Sequence, residues 1–253
     1  MKPKIKKIYL RFYEELNDLL PNEKRKIEFT HQYIDRASIK DVIESYGVPH
    51  TEIDLILAEG VSVGFEYIVE DGNHFSIYPE FESFDIAGLQ RLRPEPLRYP
   101  KFVLDVHLGK LAKYMRMLGF DIFYKNNLLD EEIIEISLKE KRAVLTRDKG
   151  ILKNKKITRG YFVRNTDGAK QLTEVTERFH LQNEIKEFTR CIECGETLHP
   201  IAKEKIVERL PANVKNFYDE FSYCKKCDKI YWRGSHAEKM QKVIEKIKSK
   251  KIL

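Results

Sequence analysis

The chain has no long apolar run, a single tryptophan and only four cysteines among its 253 residues. No stretch reaches the roughly 18 consecutive apolar residues that a membrane-spanning helix needs. The basic start, residues 1–16, lacks the apolar core of a signal peptide. We therefore expect a cytoplasmic protein without membrane association, in which cysteines are more often metal ligands than disulfide partners.

The charged residues are unevenly distributed along the chain. Residues 1–88 contain 10 Lys and Arg against 17 Asp and Glu, a net charge of −7. The whole chain carries +6, so residues 89–253 carry +13. The basic part predicts a nucleic-acid partner, RNA in our interpretation. The acidic part should be repelled by phosphates, and we expect it to face a protein partner or to be a passive folded module.

The first 85 residues have the pattern of a small α/β domain. Ser38 is placed to cap a helix whose apolar residues recur at intervals of three and four. Strands are predicted at residues 4–12, 25–30, 53–58, 61–69 and 74–79. Two strands, a helix and then more strands is the order of the β-grasp fold. The three prolines of residues 86–100 predict an extended linker.

Three aspartates follow apolar segments between residues 101 and 182. Asp105 ends the buried strand 102–104, Asp148 follows the apolar run 143–146, and Asp130 begins a helix between them. The carboxyl ends of parallel strands meet at one edge of a sheet, so we expect the three carboxylates to converge. Two carboxylates about 4 Å apart repel by about 4 kcal/mol at an effective dielectric near 20. The group therefore predicts a site for Mg²⁺ or Mn²⁺.

Two of these aspartates also have a simpler interpretation, whereas Asp105 does not, because a charged residue that ends a fully apolar strand needs a reason. Asp130 taken alone is more often a helix cap, and Asp148 taken alone fits a turn before Gly150. Lys110, Lys113 and Arg116 recur every three residues on the helix after Asp105. They predict either a phosphate contact or a solvated basic stripe. Alternating strands and helices predict a three-layer α/β domain with a parallel sheet, closed by a helix at residues 171–181.

Two Cys-x-x-Cys pairs use all four cysteines, Cys191 with Cys194 and Cys224 with Cys227. Two such knuckles complete a tetrahedral thiolate site with no open position, which predicts a structural zinc ribbon. A helix is expected at residues 203–209, within the gap between the knuckles. Beyond the second knuckle, Trp232 either stacks on a base or packs on the ribbon. His236 binds RNA or is an ordinary surface residue, and a basic helix follows.

The resemblance to a known family rests on two stretches, FVLDVHLGKLAKYMRMLGFD and LLDEEIIEISLKEKRAVLTRD. They are similar to the mut-seven carboxy-terminal RNase domain, a branch of the PIN-like nucleases. RFYEELNDLL and SIKDVIESYGVPHTEIDLILAEG resemble the ubiquitin-like domain that is fused to it. The resemblance implies a metal-dependent ribonuclease in which Asp105, Asp130 and Asp148 bind Mg²⁺ or Mn²⁺.

The family pattern has a second acid that this sequence does not match clearly. Asp121 is the one acid in the expected interval, and Asp167 is a possible substitute. We predict four regions: a ubiquitin-like domain at 1–85, a linker at 86–100, a PIN-like domain at 101–182 and a zinc ribbon with a basic helix at 183–253. RNA would be bound by side chains of the last two regions: its phosphates by Lys110, Lys113, Arg116 and Arg147, and other parts of it by Trp232 and His236. The alternative is a non-catalytic RNA-binding adaptor whose β-grasp domain recruits a protein.

Overall fold

A computed structural model describes residues 5–79 and 101–234, together with residues 244, 245 and 247. The predicted linker, His236 and most of the predicted C-terminal basic helix lie outside these residues. The chain divides into two compact units, Met1–Pro100 with Ile134–Phe162, and Lys101–Ile133 with Val163–Leu253. No helix in the described part of the chain has both the length and the hydropathy of a membrane span.

The N-terminal residues form a mixed five-stranded sheet with one helix. Its strands and helix are β1 (Lys6–Phe12), β2 (Glu28–Tyr33), α1 (Ile39–Ser45), β3 (Leu55–Ala58), β4 (Val61–Ser62) and β5 (His74–Tyr78). The strand order is β2-β1-β5-β3-β4. β1 and β5 are parallel, whereas β2 and β3 pair antiparallel with their neighbours. Two strands, a helix and then three strands is the order predicted for a β-grasp fold.

The core of this domain follows from alternation along β1 and from the face of α1. Ile8, Leu10 and Phe12 point inward and are almost fully buried. Ser38 caps α1, since its hydroxyl accepts a hydrogen bond from the Asp41 N–H at 3.1 Å. The strand predicted at 61–69 is shorter than expected and ends at Ser62. The chain then runs to the start of α1, where the Tyr67 carbonyl accepts the N–H of Ile39, the first residue of the helix, at 2.8 Å.

The central residues alternate strands and helices, as predicted. The elements are β6 (Phe102–Leu104), α2 (Gly109–Met117), β7 (Ile122–Phe123), α3 (Asp130–Glu140), β8 (Ala143–Thr146), α4 (Lys149–Leu152), β9 (Gly160–Phe162) and α5 (Gly168–Arg178). β6 pairs with β7 in parallel, and β8 pairs with β9 in parallel. These pairings confirm the parallel sheet. α5 begins three residues before the predicted start because Asp167 caps it, accepting hydrogen bonds from two backbone N–H groups.

The C-terminal residues form a three-stranded antiparallel sheet. It consists of β10 (His199–Ile201), β11 (Phe221–Cys224) and β12 (Lys229–Trp232), with the short helix α6 (Ala212–Lys215) between β10 and β11. The helix predicted at 203–209 is instead two 3-10 turns, Lys203–Lys205 and Val207–Arg209. A small apolar cluster centred on Ile206, Leu210 and Phe221 lies under this sheet.

Candidate functional site

Asp105 is a buried carboxylate at the end of β6. Only 3% of its surface is exposed. Its side chain accepts a hydrogen bond from the His107 N–H at 2.7 Å, which fixes the carboxylate at the start of a 3-10 turn. Burial, and then the charge of Asp105, raise the pKa of Tyr124 above its ordinary value of 10.0. A negative charge is costly in such a position unless it is bonded or paired with a cation.

Asp130 and Asp148 both lie at the first turn of a helix and are exposed. Asp130 is the first residue of α3. Asp148 caps α4: its carboxylate accepts from the Gly150 N–H at 2.6 Å, and its own N–H donates to the Thr146 hydroxyl at 2.8 Å. Asp105 and Asp130 belong to one compact unit and Asp148 to the other. The joint metal site of the three aspartates stays a prediction.

Both residues considered for the second acid have structural contacts. The Asp121 carboxylate lies 3.6 Å from the Arg190 guanidinium, an ion pair of two partly exposed groups. Asp167 caps α5 through the Ala169 and Lys170 N–H groups, each at 3.1 Å. These contacts explain why both acids occur where they do without a metal.

The predicted basic stripe divides into two kinds of residue. Lys110 and Lys113 are exposed on α2, and the Lys113 ammonium lies 3.9 Å from a Glu193 carboxylate oxygen. Arg147 is partly buried directly before Asp148. Arg116, in contrast, is only 2% exposed. The exposed basic stripe on α2 therefore includes Lys110 and Lys113 but not Arg116.

The Arg116 guanidinium connects the nuclease-like region to the first cysteine knuckle. It donates to the carbonyl oxygens of Ile122 and Tyr124 at 3.2–3.3 Å. It also donates to the carbonyls of Ile192 and Glu193 at 3.2 and 2.6 Å. Burial lowers the pKa of Arg116 below its ordinary value. These five hydrogen bonds give Arg116 a structural contact that the sequence pattern did not reveal, and its contact with an RNA phosphate stays a prediction.

The four cysteines form a compact sulfur cluster. Their Sγ atoms lie within 4.8 Å of one another, and those of Cys194 and Cys224 are 3.5 Å apart. Tetrahedral zinc with Zn–S bonds of about 2.3 Å places its sulfurs about 3.8 Å apart, so the donor set fits. Within the described residues, this is the one group of three or more potential metal ligands that lie so close together.

The backbone around the first knuckle supports this arrangement. Gly195 has a φ of +78°, and its N–H donates to the Cys191 carbonyl at 2.8 Å. The Tyr231 hydroxyl lies 3.0 Å from the Cys191 Sγ. Burial alone would raise the pKa of Cys191, but hydrogen bonds from Tyr231 and from backbone N–H groups outweigh it and lower the pKa to about 7. The thiolate is the form that binds metal.

Trp232 lies partly buried on β12, directly opposite Phe221 on β11, and packs on the apolar cluster of the C-terminal sheet. It also lines a cavity of about 840 Å³ together with Phe188, Arg190 and Arg233. The Arg233 guanidinium lies 5.6 Å from the centre of the Phe188 ring. Packing on the ribbon is therefore observed, and stacking of Trp232 on a base stays a prediction.

The fold and the cysteine cluster define a multidomain α/β protein. It has an N-terminal ubiquitin-like domain, a parallel-sheet domain, and a C-terminal four-cysteine cluster consistent with a zinc ribbon. Comparison with known families makes this specific. Residues 100–244 match the Mut7-C RNAse domain, and residues 5–85 match the Mut7-C ubiquitin domain. The chain therefore belongs to the Mut7-C RNAse domain family, as its sequence predicted. No curated protein and no solved structure matches it.

Proposed function

We propose that this protein is a metal-dependent ribonuclease. The observation that carries the proposal is the match of residues 100–244, more than half of the chain, to the Mut7-C RNAse domain. Asp105 supports it by its position, since this carboxylate lies at the carboxyl end of the parallel strand β6, the edge of an α/β sheet at which ligands bind. Family membership indicates a nuclease or RNA-related role, and the metal and the reaction are our inference.

Asp105, Asp130 and Asp148 are the proposed ligands of Mg²⁺ or Mn²⁺. Such an ion, when bound, lowers the pKa of water and neutralises charge on a phosphate that is being cleaved. Asp105 is held by the His107 N–H and Asp148 by the Gly150 N–H, so both carboxylates are restrained before any ion arrives. The chain thus supplies restrained oxygen ligands, which suit hard divalent ions.

The RNA strand is proposed to be bound by positive charge outside the ubiquitin-like domain. Residues 89–253 carry a net +13. Lys110 and Lys113 are exposed on the helix that follows Asp105, and Arg147 precedes Asp148. Contacts of this kind neutralise phosphates and make affinity depend strongly on salt. Trp232 and His236 extend the proposed RNA contact into the C-terminal region.

We further propose that the four cysteines bind a structural Zn²⁺. The donor set is complete and tetrahedral in kind, so no position is left for a catalytic water. A region of this size has a small core, and zinc binding contributes on the order of 10–16 kcal/mol of apparent free energy in small domains. Loss of the ion should therefore unfold the C-terminal region before the rest.

The second candidate is a cytoplasmic, non-catalytic RNA-binding adaptor. It is favoured by the structural contacts of Asp121 and Asp167, which leave the family's second acid without a clear counterpart. In this case the acidic ubiquitin-like domain would recruit a protein partner. A protein of either kind would bind RNA, but only the ribonuclease would cleave it.

The experiment that separates them is cleavage of labelled single-stranded RNA by the purified full-length chain with Mn²⁺ or Mg²⁺. We expect cleavage that chelation stops and that the double variant Asp105→Asn with Asp148→Asn abolishes. Asp130→Asn should be impaired as well, whereas Glu131→Gln, on the same first turn of α3, is the matched control and should be active. Cleavage that survives the double substitution contradicts the proposed site. RNA binding without cleavage supports the adaptor.

A further inference from the structure

The ubiquitin-like domain has a deeply buried polar turn. His50, Thr51 and Glu52 form a 3-10 turn after α1, and they are 6%, 1% and 1% exposed. Polar groups that are buried this deeply are kept only where they find partners. Two of them, His50 and Glu52, have partners in residues 134–162. These residues lie within the RNase-domain match, yet they belong to the same compact unit as the ubiquitin-like domain.

His50 is bonded through both ring nitrogens. Its Nε2 lies 2.9 Å from the Ile157 carbonyl oxygen, and its Nδ1 lies 2.7 Å from a Glu44 carboxylate oxygen. The Lys153 ammonium, on the RNase-domain side, donates to the Glu44 carbonyl at 2.9 Å. Glu44 and His50 therefore hold two points of the segment that follows α4.

Glu52 holds a third point. One of its carboxylate oxygens accepts the N–H of Phe162, the last residue of β9, at 2.5 Å. The Phe162 ring packs against the hydrophobic core of the ubiquitin-like domain. The Lys149 ammonium lies 5.3 Å from the centre of that ring. Lys149 is the first residue of α4 and directly follows Asp148.

The turn that presents Asp148 has little stability of its own. α4 has four residues, Lys149–Leu152, far fewer than the roughly 12 at which an isolated helix becomes even marginally stable. Its position is therefore set by tertiary contacts. On one side it follows β8, and on the other its successor segment is fixed to the ubiquitin-like domain through Ile157 and Phe162.

We propose that the ubiquitin-like domain is a positioning element in cis, which holds the Asp148 turn in the geometry for metal binding. Glu52 and His50 are its positioning residues, and neither touches the metal. This inference rests on the proposed role of Asp148 as a ligand. The inference predicts that metal affinity depends on residues outside the RNase-domain match. Groups that orient the ligands of a metal have the same kind of effect, and their loss typically weakens metal binding 10–100-fold.

The test compares Mn²⁺ affinity of full-length variants by isothermal titration calorimetry without RNA. Glu52→Ala removes the acceptor for the Phe162 N–H, and we expect Mn²⁺ to bind about tenfold more weakly or worse. Glu52→Gln keeps a carbonyl oxygen at that position and should restore binding to within about threefold, by our estimate from the retained acceptor. Glu59→Ala is the matched control, because Glu59 also accepts a backbone N–H, that of His74 at 2.6 Å, but within the ubiquitin-like domain.

Hydrogen exchange of the same proteins shows whether the docking itself has changed. Peptides covering residues 149–162 should exchange faster in Glu52→Ala and not in Glu59→Ala. Lys153→Met is a second variant, to be used if Glu52→Ala does not fold. It removes the hydrogen bond that the Lys153 ammonium donates to the Glu44 carbonyl, and we expect it to weaken Mn²⁺ binding as well.

The outcomes separate this inference from the proposed function. If hydrogen exchange becomes faster but the Mn²⁺ affinity changes less than about twofold, the positioning role is overturned, because the expected effect is about tenfold. Unchanged exchange in both Glu52→Ala and Lys153→Met overturns the docking. A wild-type protein that binds no Mn²⁺ overturns the proposed function, and the positioning role with it.

Discussion

Replacing Arg116 should destabilise the protein and loosen its four-cysteine region, although the residue is on a helix that looks basic and solvated. Arg116→Met keeps an unbranched apolar stem and removes the five N–H donors of the guanidinium. Four backbone carbonyls, those of Ile122, Tyr124, Ile192 and Glu193, then lose their partner. A buried acceptor without a partner pays a desolvation penalty that replacement by an apolar stem does not recover.

The expected loss can be estimated from the bond lengths. The 2.6 Å bond to the Glu193 carbonyl is short and charge-assisted, and such a bond contributes about 1.5–3 kcal/mol. The remaining bonds, at 3.2–3.3 Å, are long, and we assign about 0.5 kcal/mol to each of the other three carbonyls. The sum is about 3–4.5 kcal/mol, which lies in the upper part of the range for single substitutions.

The assay is equilibrium unfolding in guanidinium chloride, followed by Trp232 fluorescence. Trp232 is the sole tryptophan and lies on β12, so its signal reports the four-cysteine region. Lys113→Met is the matched control on the same helix. Its side chain is 56% exposed and its ion pair with Glu193 is 3.9 Å long, so we expect a change within about 0.5 kcal/mol. A loss below about 1 kcal/mol in Arg116→Met, combined with weaker RNA binding, would refute this reasoning and restore the RNA contact.

Three further predictions address the other regions. Cys224→Ser, or a strong chelator, should release one Zn²⁺ per chain and unfold the Trp232 region first, as seen by metal analysis and fluorescence. Burial, and then the charge of Lys24, lower the pKa of His31 below 6.5, so the unfolded chain binds the proton more readily than the folded one. Stability should therefore fall as the pH drops below about 6.5, and His31→Gln should flatten that slope in thermal unfolding at pH 5–8. Ser38→Ala removes the acceptor for the Asp41 N–H and should cost about 1 kcal/mol by denaturant unfolding, with Ser45→Ala for comparison.

Local patterns predicted the elements well because their causes are local. The alternation of Ile8, Leu10 and Phe12 and the cap at Ser38 each depend on a few neighbouring residues, and both are observed. The sequence also predicts the cysteine cluster, because two Cys-x-x-Cys pairs in one chain are typical of a structural zinc site, and the four sulfurs do lie together. The start of α5 is an exception: the helix begins three residues before the predicted position, because Asp167, considered above as a metal ligand, caps it.

The contacts that join distant segments could not be predicted in this way. Three residues cover about 300° of an α-helix, which is about 60° short of a full turn. Arg116 therefore does not lie directly above Lys113 but is displaced around the helix, toward the edge of the apolar face. Its partners at 192 and 193 come from 76 and 77 residues away. His50 and Glu52 find theirs 107 and 110 residues away. Hydrophobic periodicity contains no information on such pairings.

The central claim is that Asp105, Asp130 and Asp148 jointly hold the divalent ion of a ribonuclease. A crystal structure of the full-length chain grown with Mn²⁺, with anomalous diffraction measured at the manganese edge, tests it most directly. The proposal predicts an anomalous peak with a carboxylate oxygen of each aspartate at about 2.0–2.3 Å. A peak at other residues, or aspartates that stay more than about 8 Å apart when Mn²⁺ is present, would contradict it.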